Sequence, residues 1–337
     1  MIRSWRSDSV LSFDMKTVPI LFTFDQKLVT AAGVCMTSLL ENALPDTFYD
    51  IFVLHGKECD FGGTKLVELP KRYHNCRLTF RVVDGEFVGA YEIRGIPETA
   101  YYRLISPELI PEYDKLLYSD VDVIIREDLS KYYEIDLGEN YFAAVDNCSA
   151  LRPFVQEYLA KDLGLDYRNG DYYSGNLVIN SKLILRDRMI DRFRELGKNN
   201  YKQQDMDIIN IACNRRIYPL GPIYCMTVQL YGLIIGKRED MDAIYGHDAL
   251  DDALNHGIVH YNGVKPWKGC CVNMDIWWSW YRKSIFFDEK FAFDFWQDQR
   301  FKLDRLSLVK RIKMLLRYPL DRKQVKASSN TNLITEI

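Results

Sequence analysis

The 337-residue chain lacks the sequence patterns of a zinc-binding, disulfide-rich or nucleic-acid-binding protein. Its eight cysteines include no CxxC pair, and the neighbours Cys270 and Cys271 are poorly spaced to chelate one zinc ion. We therefore expect reduced thiols in a reducing compartment rather than a zinc or disulfide framework. The formal charge of −3 gives no reason to expect a nucleic-acid partner.

Targeting and membrane-spanning patterns are also missing. The leader MIRSWRSDSVLSFDMK contains no apolar core and no small-residue cleavage site, and no later run approaches the roughly 18 apolar residues of a spanning helix. Internal repeats and low-complexity linkers are absent as well. We expect a cytoplasmic protein with a catalytic domain at residues 17–267 and an aromatic, basic C-terminal extension at residues 268–337.

What the sequence does contain is an alternation of strand-like and helix-like segments. Apolar runs at Val18–Phe24, Tyr49–His55 and Arg77–Val83 read as strands, and a stretch with helical spacing separates the first two. Strand, helix, strand predicts a βαβ unit and hence a parallel sheet. A helix after Glu98 is expected to end at Pro107, because proline disfavours a helical residue before it.

The stretch KLLYSDVDVII, residues 115–125, reads as one apolar strand interrupted by Asp120 and Asp122. Side chains two residues apart on a strand share a face, roughly 6.5 Å apart. Ligands of open α/β sheets bind at the carboxyl ends of the strands. Because the two carboxylates repel each other, the pair predicts a hard divalent cation, Mn²⁺ or Mg²⁺, that can also hold a diphosphate. A solvated strand end and a phosphotransferase of the haloacid-dehalogenase type are the alternatives, although the latter normally carries its pair on the first strand.

A second informative stretch is HYNGVKPW, residues 260–267. His260 closes an apolar run and can serve as a third metal ligand, Gly263 allows a close backbone approach, and Lys265 offers a point charge for a phosphate. Taken singly, His260 is better interpreted as a structural histidine at a strand end, and Lys265 as a solvated loop lysine. The combination favours a phosphate and metal site.

Five segments, in this order along Val18–Trp267, together resemble glycosyltransferase family 8. They are ILFTFD, TAYYRLISPELIPEYDKLLYSDVDVII, YYSGNLVIN, QQDMDIIN and HYNGVKPW. The third is similar to the family's FNSGVLLIN segment, the fourth to its DQDVLN segment and the last to its HxxGxxKPW motif, with one residue fewer between Gly263 and Lys265. The resemblance implies an α/β fold with a nucleotide-sugar-binding, doubly wound mixed sheet of the GT-A type and a helical C-terminal extension.

The resemblance also implies an activity: retaining transfer of glucose or galactose from a UDP-hexose, with Mn²⁺ or Mg²⁺, to an oligosaccharide or lipid-linked glycan. The implied metal ligands are Asp120, Asp122 and His260. The implied donor-binding residues are Thr23, Asp25, Lys27, Arg103, Val121, Gly263 and Lys265. The implied catalytic residues are Arg103 at the donor, with Asp146 and Asp205 facing the sugar or the acceptor. Without the resemblance, Arg103 reads as part of an ion pair on a helix surface.

Three positions depart from the family pattern. Leu28 stands where many members carry a tyrosine near the uracil, Tyr173 replaces an asparagine, and Met206 replaces the glutamine of the DQD segment. A thioether cannot act as the nucleophile. We therefore expect a reaction on one face of the sugar. The alternative that these departures motivate is a non-catalytic protein that binds a nucleotide-sugar or a glycan.

The C-terminal extension mixes basic and apolar residues. Between residues 302 and 326, Lys302, Arg305 and Lys310 alternate with Leu306, Leu308 and other aliphatic residues. Such a basic amphipathic helix suits an anionic membrane surface, here the inner face of the plasma membrane, or equally an ordinary surface helix packed on the domain.

Overall fold

The structure, a computed structural model, describes residues 15–87, 89–92, 98–302 and 305–313. The chain divides into two compact units, one of residues up to 266 together with 271–286, and one of residues 267–270 together with those from 287 onward. Across the described ranges, every helix is too short or too polar to cross a lipid bilayer. The functional boundary at residues 267 and 268 stays a prediction.

Ten strands are found in the described part of the chain. They are β1 (Lys16–Thr23), β2 (Thr47–Gly56), β3 (Cys76–Val83), β4 (Leu116–Ser119), β5 (Val123–Ile125), β6 (Phe142–Val145), β7 (Asn176–Ile179), β8 (Ile217–Leu220), β9 (Met226–Thr227) and β10 (Ile258–His260). Seven of them form one sheet in the order β3-β2-β1-β4-β7-β6-β8, and three form a second sheet in the order β5-β10-β9.

Thirteen α-helices are found in the described part of the chain. They are α1 (Val29–Glu41), α2 (Leu69–Arg72), α3 (Tyr102–Leu109), α4 (Ser130–Tyr133), α5 (Pro153–Tyr158), α6 (Ser181–Arg186), α7 (Met189–Leu196), α8 (Asp205–Cys213), α9 (Val228–Gly236), α10 (Arg238–Tyr245), α11 (His247–Asn255) and α12 (Met274–Lys283), with α13 (Glu289–Phe301) in the second unit. Short 3-10 turns cover Gln26–Leu28, Lys65–Glu68, Glu98–Tyr101, Ser149–Leu151, Tyr167–Asn169 and Pro222–Tyr224, and a π-helical turn covers Leu159–Leu163.

The predicted βαβ unit is confirmed. Strand β1 pairs in parallel with β2, with Ile20 opposite Ile51, and β2 pairs in parallel with β3. The last six residues of β1 are all buried, as expected of a strand covered on both faces. The antiparallel pairing of β7 with β4 and β6 makes the sheet mixed, as predicted.

This topology gathers the predicted site at one edge of the large sheet. Strand β4 is parallel to β1 and antiparallel to β7, and β7 is antiparallel to β6. The carboxyl ends of β1, β4 and β6 therefore meet the amino end of β7. Thr23, Asp120, Asp146 and Gly175 stand at or beside these ends, which is the edge where open α/β sheets bind ligands.

The expectation that Pro107 ends its helix is wrong, because α3 continues to Leu109 with Pro107 inside it. A proline in a helix leaves the carbonyl four residues earlier without its N–H partner. Here that carbonyl belongs to Arg103, and the Ser106 hydroxyl donates to it at 2.8 Å. The hydroxyl of Ser106, next to the proline, replaces the missing backbone donor, and the helix ends two residues later than predicted.

The expectation that residues 115–125 form one strand is also wrong. The stretch is divided between β4 in the large sheet and β5 in the small one, and Asp120–Asp122 form the turn between them. Two backbone bonds hold this turn: Asp120 N donates to Gly175 O at 2.7 Å, and Tyr261 N donates to Asp122 O at 2.9 Å. The carboxylates converge through the turn and not through the alternation of one strand.

Candidate functional site

Three metal-ligating side chains meet where the two sheets adjoin. The antiparallel pairing of β10 with β5 places His260 opposite Val123, directly after the acidic turn. The imidazole Nε2 lies 3.5 Å from Asp120 Oδ2 and 3.4 Å from Asp122 Oδ1. One ligand atom from each of the three residues lies within 4.8 Å of the others. Two carboxylates and one imidazole match the preferences of a Mn²⁺-type cation, so the residues fit the metal that the sequence predicts.

Lys265 joins this cluster as a second positive group. Its ammonium pairs with Asp122 Oδ2 and donates to Tyr261 O at 2.8 Å. Burial by itself raises the pKa of the Asp122 carboxyl, but His260 and Lys265 outweigh burial and hold that pKa well below its usual range. Burial lowers the pKa of His260, whereas Asp122 and Cys225 raise it, and the imidazole pKa rises to about 10. The positive charges of His260 and Lys265 thus stabilise the ionised carboxylate of Asp122, at the place where a phosphate-bearing ligand is expected.

Arg103 lies inside the protein, with a side-chain exposure of 6%, so its interpretation as a helix-surface ion pair is wrong. Its Nε donates to Ala100 O at 2.8 Å and its Nη1 donates to Ser174 O at 2.6 Å. Its Nη2 lies 3.0 Å from Asp120 Oδ1, and its Nε lies 3.3 Å from Asp205 Oδ2. Burial lowers the pKa of the guanidinium, but the neighbouring carboxylates raise it by a larger amount, so the net pKa lies above its usual value. Arg103 thus connects the metal cluster to Asp205.

Asp205 begins helix α8 and is 5% exposed. The preceding residue, Gln204, has a φ of 48°, a left-handed conformation that is strained for a side-chain-bearing residue. Asp205 Oδ2 is buried without a hydrogen-bond partner, and burial raises the pKa of the carboxyl against the opposing charge of Arg103. A buried carboxylate oxygen of this kind can accept a hydrogen bond from a hydroxyl group of a ligand.

The other predicted residues occupy more varied surroundings. Asp146 follows β6, and its Oδ1 accepts from Cys148 N at 3.0 Å and from Asp171 N at 3.3 Å. Burial raises the pKa of Asp146. Asp25 caps the 3-10 turn through Lys27 N at 2.9 Å, and the Lys27 side chain is exposed. Their functional roles stay predictions.

Three further donor-binding candidates, Val121, Gly263 and Thr23, differ in their surroundings. Val121, between the two aspartates, is 3% exposed. Gly263 is exposed, and a Cβ placed on it would meet nothing within 4 Å. Thr23 Oγ1 lies 3.1 Å from the Tyr118 hydroxyl and reaches the metal cluster through that residue.

Sequence reasoning missed two residues that lie against His260. A Cβ on Gly175 would lie 2.8 Å from Asp120 Oδ2 and would overlap the His260 ring, so only glycine fits between them. Cys225 Sγ lies 3.4 Å from His260 Nδ1, on the side of the ring away from the carboxylates. The glycine within YYSGNLVIN was a signal for the first residue. The second had no local signal.

Residues 19–271 of the chain match the family model Glycosyl transferase family 8. The chain belongs to glycosyltransferase family 8. Similar curated proteins include a lipopolysaccharide 1,2-glucosyltransferase of Escherichia coli, 24% identical over 300 residues, which cover 86% of this chain and 82% of that protein. The general stress protein A of Bacillus subtilis (strain 168) is 24% identical over 253 residues, covering 72% of this chain and 85% of that protein.

Solved structures of similar fold agree with this assignment. The galactosyltransferase LgtC, in complex with donor and acceptor sugar analogues, superposes with a TM-score of 0.65 at 25% identity, covering 82% of this chain and 99% of that chain. The apo structure of the bifunctional glycosyltransferase WbbM gives a TM-score of 0.67 at 23% identity, covering 87% of this chain and 53% of that one. The predicted GT-A type of fold is therefore confirmed.

The family departures lie in well-packed surroundings. The hydroxyl of Tyr173 donates to Asn147 Oδ1 at 2.6 Å and accepts from Thr227 Oγ1 at 3.2 Å. Met206 is half-buried in the first turn of α8, where its carbonyl accepts from Asn210 Nδ2 at 2.9 Å. Both replacements are thus integrated into the fold of this family member.

Proposed function

We propose that this family 8 protein is a metal-dependent retaining hexosyltransferase. It moves glucose or galactose from a UDP-sugar to a glycan acceptor in the synthesis of lipopolysaccharide, capsule or another surface polysaccharide. The observation that carries the proposal is the convergence of Asp120, Asp122 and His260 with the ammonium of Lys265. Family membership and the named activity of the Escherichia coli relative support the choice of a hexose and of a surface glycan.

Each group of the site has a chemical task under this proposal. Asp120, Asp122 and His260 would hold a divalent cation, which supplies a Lewis acid for the departing diphosphate. Lys265 lies against the same carboxylate and can turn its ammonium to the developing negative charge on UDP. Gly263 leaves room beside Lys265 for a phosphate. Arg103 and Asp205 form the adjoining buried pair.

Retention of the anomeric configuration places the acceptor hydroxyl on the face from which UDP leaves. Met206 offers no nucleophile, and Asp205 Oδ2 faces the Arg103 guanidinium at 3.3 Å, which lowers its nucleophilicity. We therefore infer a same-face reaction in which a departing phosphate oxygen takes the proton of the acceptor. Isolation of a sugar covalently bound to Asp205 would contradict this route.

The alternative is a non-catalytic protein that binds a nucleotide-sugar or a glycan. The replacements at Tyr173 and Met206 favour it, because both fall in segments that carry the family resemblance. A protein of this kind would bind UDP-sugar with Mn²⁺ but would release no UDP.

A panel of UDP-hexoses with Mn²⁺, assayed for UDP release with and without glycan acceptors, separates the two functions. We expect slow hydrolysis of one donor and a loss of at least about 100-fold in Asp122→Asn, which removes a metal ligand without changing its volume. Asp166→Asn, at a carboxylate that pairs with Arg168 in an exposed 3-10 turn, is the matched control and should be silent. Equal UDP release by Asp122→Asn and the wild type would contradict the metal site.

The C-terminal extension supports a second part of the proposal, which is contact with an anionic membrane. Leu308, Val309 and Ile312 are 72%, 62% and 46% exposed, and Lys310 lies among them. Residues 303–304 and 314–326 of the predicted amphipathic segment lie outside the described residues. Sedimentation with phosphatidylglycerol vesicles, but not with phosphatidylcholine vesicles, is expected, and Leu308→Ser/Val309→Ser should abolish it. Equal recovery with both lipids would contradict the membrane contact.

A further inference from the structure

We propose that Tyr118 is a positioning residue for the metal site, one that holds Asp120 Oδ1 and leaves Oδ2 as the single oxygen for the cation. The proposal rests on the metal-dependent function proposed above. It concerns a residue outside the acidic pair, two positions earlier in β4, and it predicts an effect on metal affinity that a purely structural tyrosine would not have.

The hydrogen-bond directions around Tyr118 follow from the chemistry of its partners. The Tyr118 hydroxyl lies 2.6 Å from Asp120 Oδ1 and 3.1 Å from Thr23 Oγ1. An ionised carboxylate only accepts, so Tyr118 donates its single proton to Asp120. The Thr23 hydroxyl must then donate to Tyr118. This directed chain runs from the end of β1 through β4 to the acidic turn, within an interior where Tyr118 is fully buried.

Arg103 strengthens the same arrangement from the other side. Its guanidinium carbon lies 4.1 Å from the centroid of the Tyr118 ring, and its Nη2 lies 3.0 Å from the same Oδ1. Oδ1 therefore has two donors, whereas Oδ2 points toward His260 Nε2 at 3.5 Å. With one oxygen occupied by the protein, Asp120 is prepared to bind a cation through the other alone.

Loss of the Tyr118 hydroxyl leaves Asp120 Oδ1 with Arg103 Nη2 but without the donor that fixes its orientation from β4. Tyr118→Phe keeps the ring that Arg103 covers and removes only the oxygen. Asp120 is then free to rotate toward a geometry in which both oxygens are shared between Arg103 and the cation. Partners that orient metal ligands commonly contribute 10- to 100-fold in metal affinity, so the dissociation constant for Mn²⁺ should rise by about that factor.

The experiment measures Mn²⁺ binding to the full chain at fixed pH, by calorimetry and by the electron paramagnetic resonance signal of free Mn²⁺. The matched control is Tyr49→Phe, because the buried Tyr49 hydroxyl also donates to a carboxylate, Asp128 Oδ2 at 3.0 Å, away from the site. Both variants should lose some stability toward urea. Only Tyr118→Phe should weaken Mn²⁺ binding, by about 10- to 100-fold.

A second variant guards against poor folding of Tyr118→Phe. Thr23→Val removes the donor to Tyr118 and should weaken Mn²⁺ binding by less than Tyr118→Phe does, because hydrogen bonds in a chain polarise one another. Wild-type affinity in the folded variants, or an equal effect in Tyr49→Phe, overturns the positioning role. If the wild-type protein itself binds no Mn²⁺, the proposed metal-dependent function fails, which is a distinct result.

Discussion

Gly175 lies so close to Asp120 and His260 that adding a side chain there should disrupt the proposed metal site. In Gly175→Ala the added methyl would lie 2.8 Å from Asp120 Oδ2 and 3.0 Å from His260 Nδ1. The ring carbon Cε1 of His260 would be closer still. Ordinary contacts begin near 3.4 Å, so the carboxylate must move by about 0.6 Å and the imidazole by more. Neither residue yields easily, because Asp120 is held by Tyr118 and His260 is a buried strand residue.

The expected result is a loss of metal binding that exceeds the loss of stability. Overpacking of this kind costs about 1–3 kcal/mol of unfolding free energy. Metal–ligand distances tolerate only about 0.2 Å. Mn²⁺ affinity and Mn²⁺-dependent UDP release should therefore fall by at least about 100-fold, as misplacement of reacting groups by about 1 Å does. Urea denaturation, calorimetric titration with Mn²⁺ and the UDP-release assay measure the three quantities.

The control adds the same methyl group where the structure leaves room. Gly232 is exposed within α9, and a Cβ there meets nothing within 4 Å. Gly232→Ala should raise the unfolding free energy by about 0.5–1 kcal/mol and leave Mn²⁺ binding unchanged. If Gly175→Ala binds Mn²⁺ as tightly as the wild type, the proposed closeness of these three residues is refuted.

Two further predictions concern buried charge. Burial raises the pKa of Asp171 to about 6, above the value of 3.8 expected when unfolded, so the folded state loses stability as pH rises from about 4 to about 6. Asp171→Asn should therefore stabilise the protein by about 1–3 kcal/mol more at pH 7.5 than at pH 4 in urea denaturation, and an equal effect at both pH values would refute the shift. Arg103→Met leaves Asp120 and Asp205 without their shared cation and should cost about 3–5 kcal/mol, partly recovered by adding Asp205→Asn. A loss below about 1 kcal/mol in the single variant would show that Arg103 does not support the site.

Much of the site was predictable because its chemistry is concentrated in short segments. The acidic pair required a positive partner for electrostatic reasons, and the strand–helix–strand order required a parallel sheet whose carboxyl edge receives it. His260 and Lys265 lie in one segment, and both reach the pair in the structure. The family resemblance was confirmed over residues 19–271. Local sequence thus predicted which groups meet.

The two errors have different causes, one a local side-chain hydrogen bond and the other a pair of backbone hydrogen bonds to distant residues. Pro107 was expected to end α3, but the neighbouring Ser106 hydroxyl takes over the free carbonyl of Arg103. Lys115–Ile125 was expected to form one strand, but bonds from Asp120 N to Gly175 O and from Tyr261 N to Asp122 O divide it between two sheets. Strand propensity alone cannot report such partners.

By itself, therefore, the sequence determined the family, the α/β fold and the candidate metal ligands, because each depends on residue type and on the order of short motifs. Tertiary structure alone decided that the aspartates converge through a turn, that Gly175 must lack a side chain and that Asp120 is held through one oxygen. The physical reason is that these features depend on the pairing of β4 with β1 and β7 and on the pairing of β5 with β10. These strands are far apart along the chain and meet only after the sheets have formed.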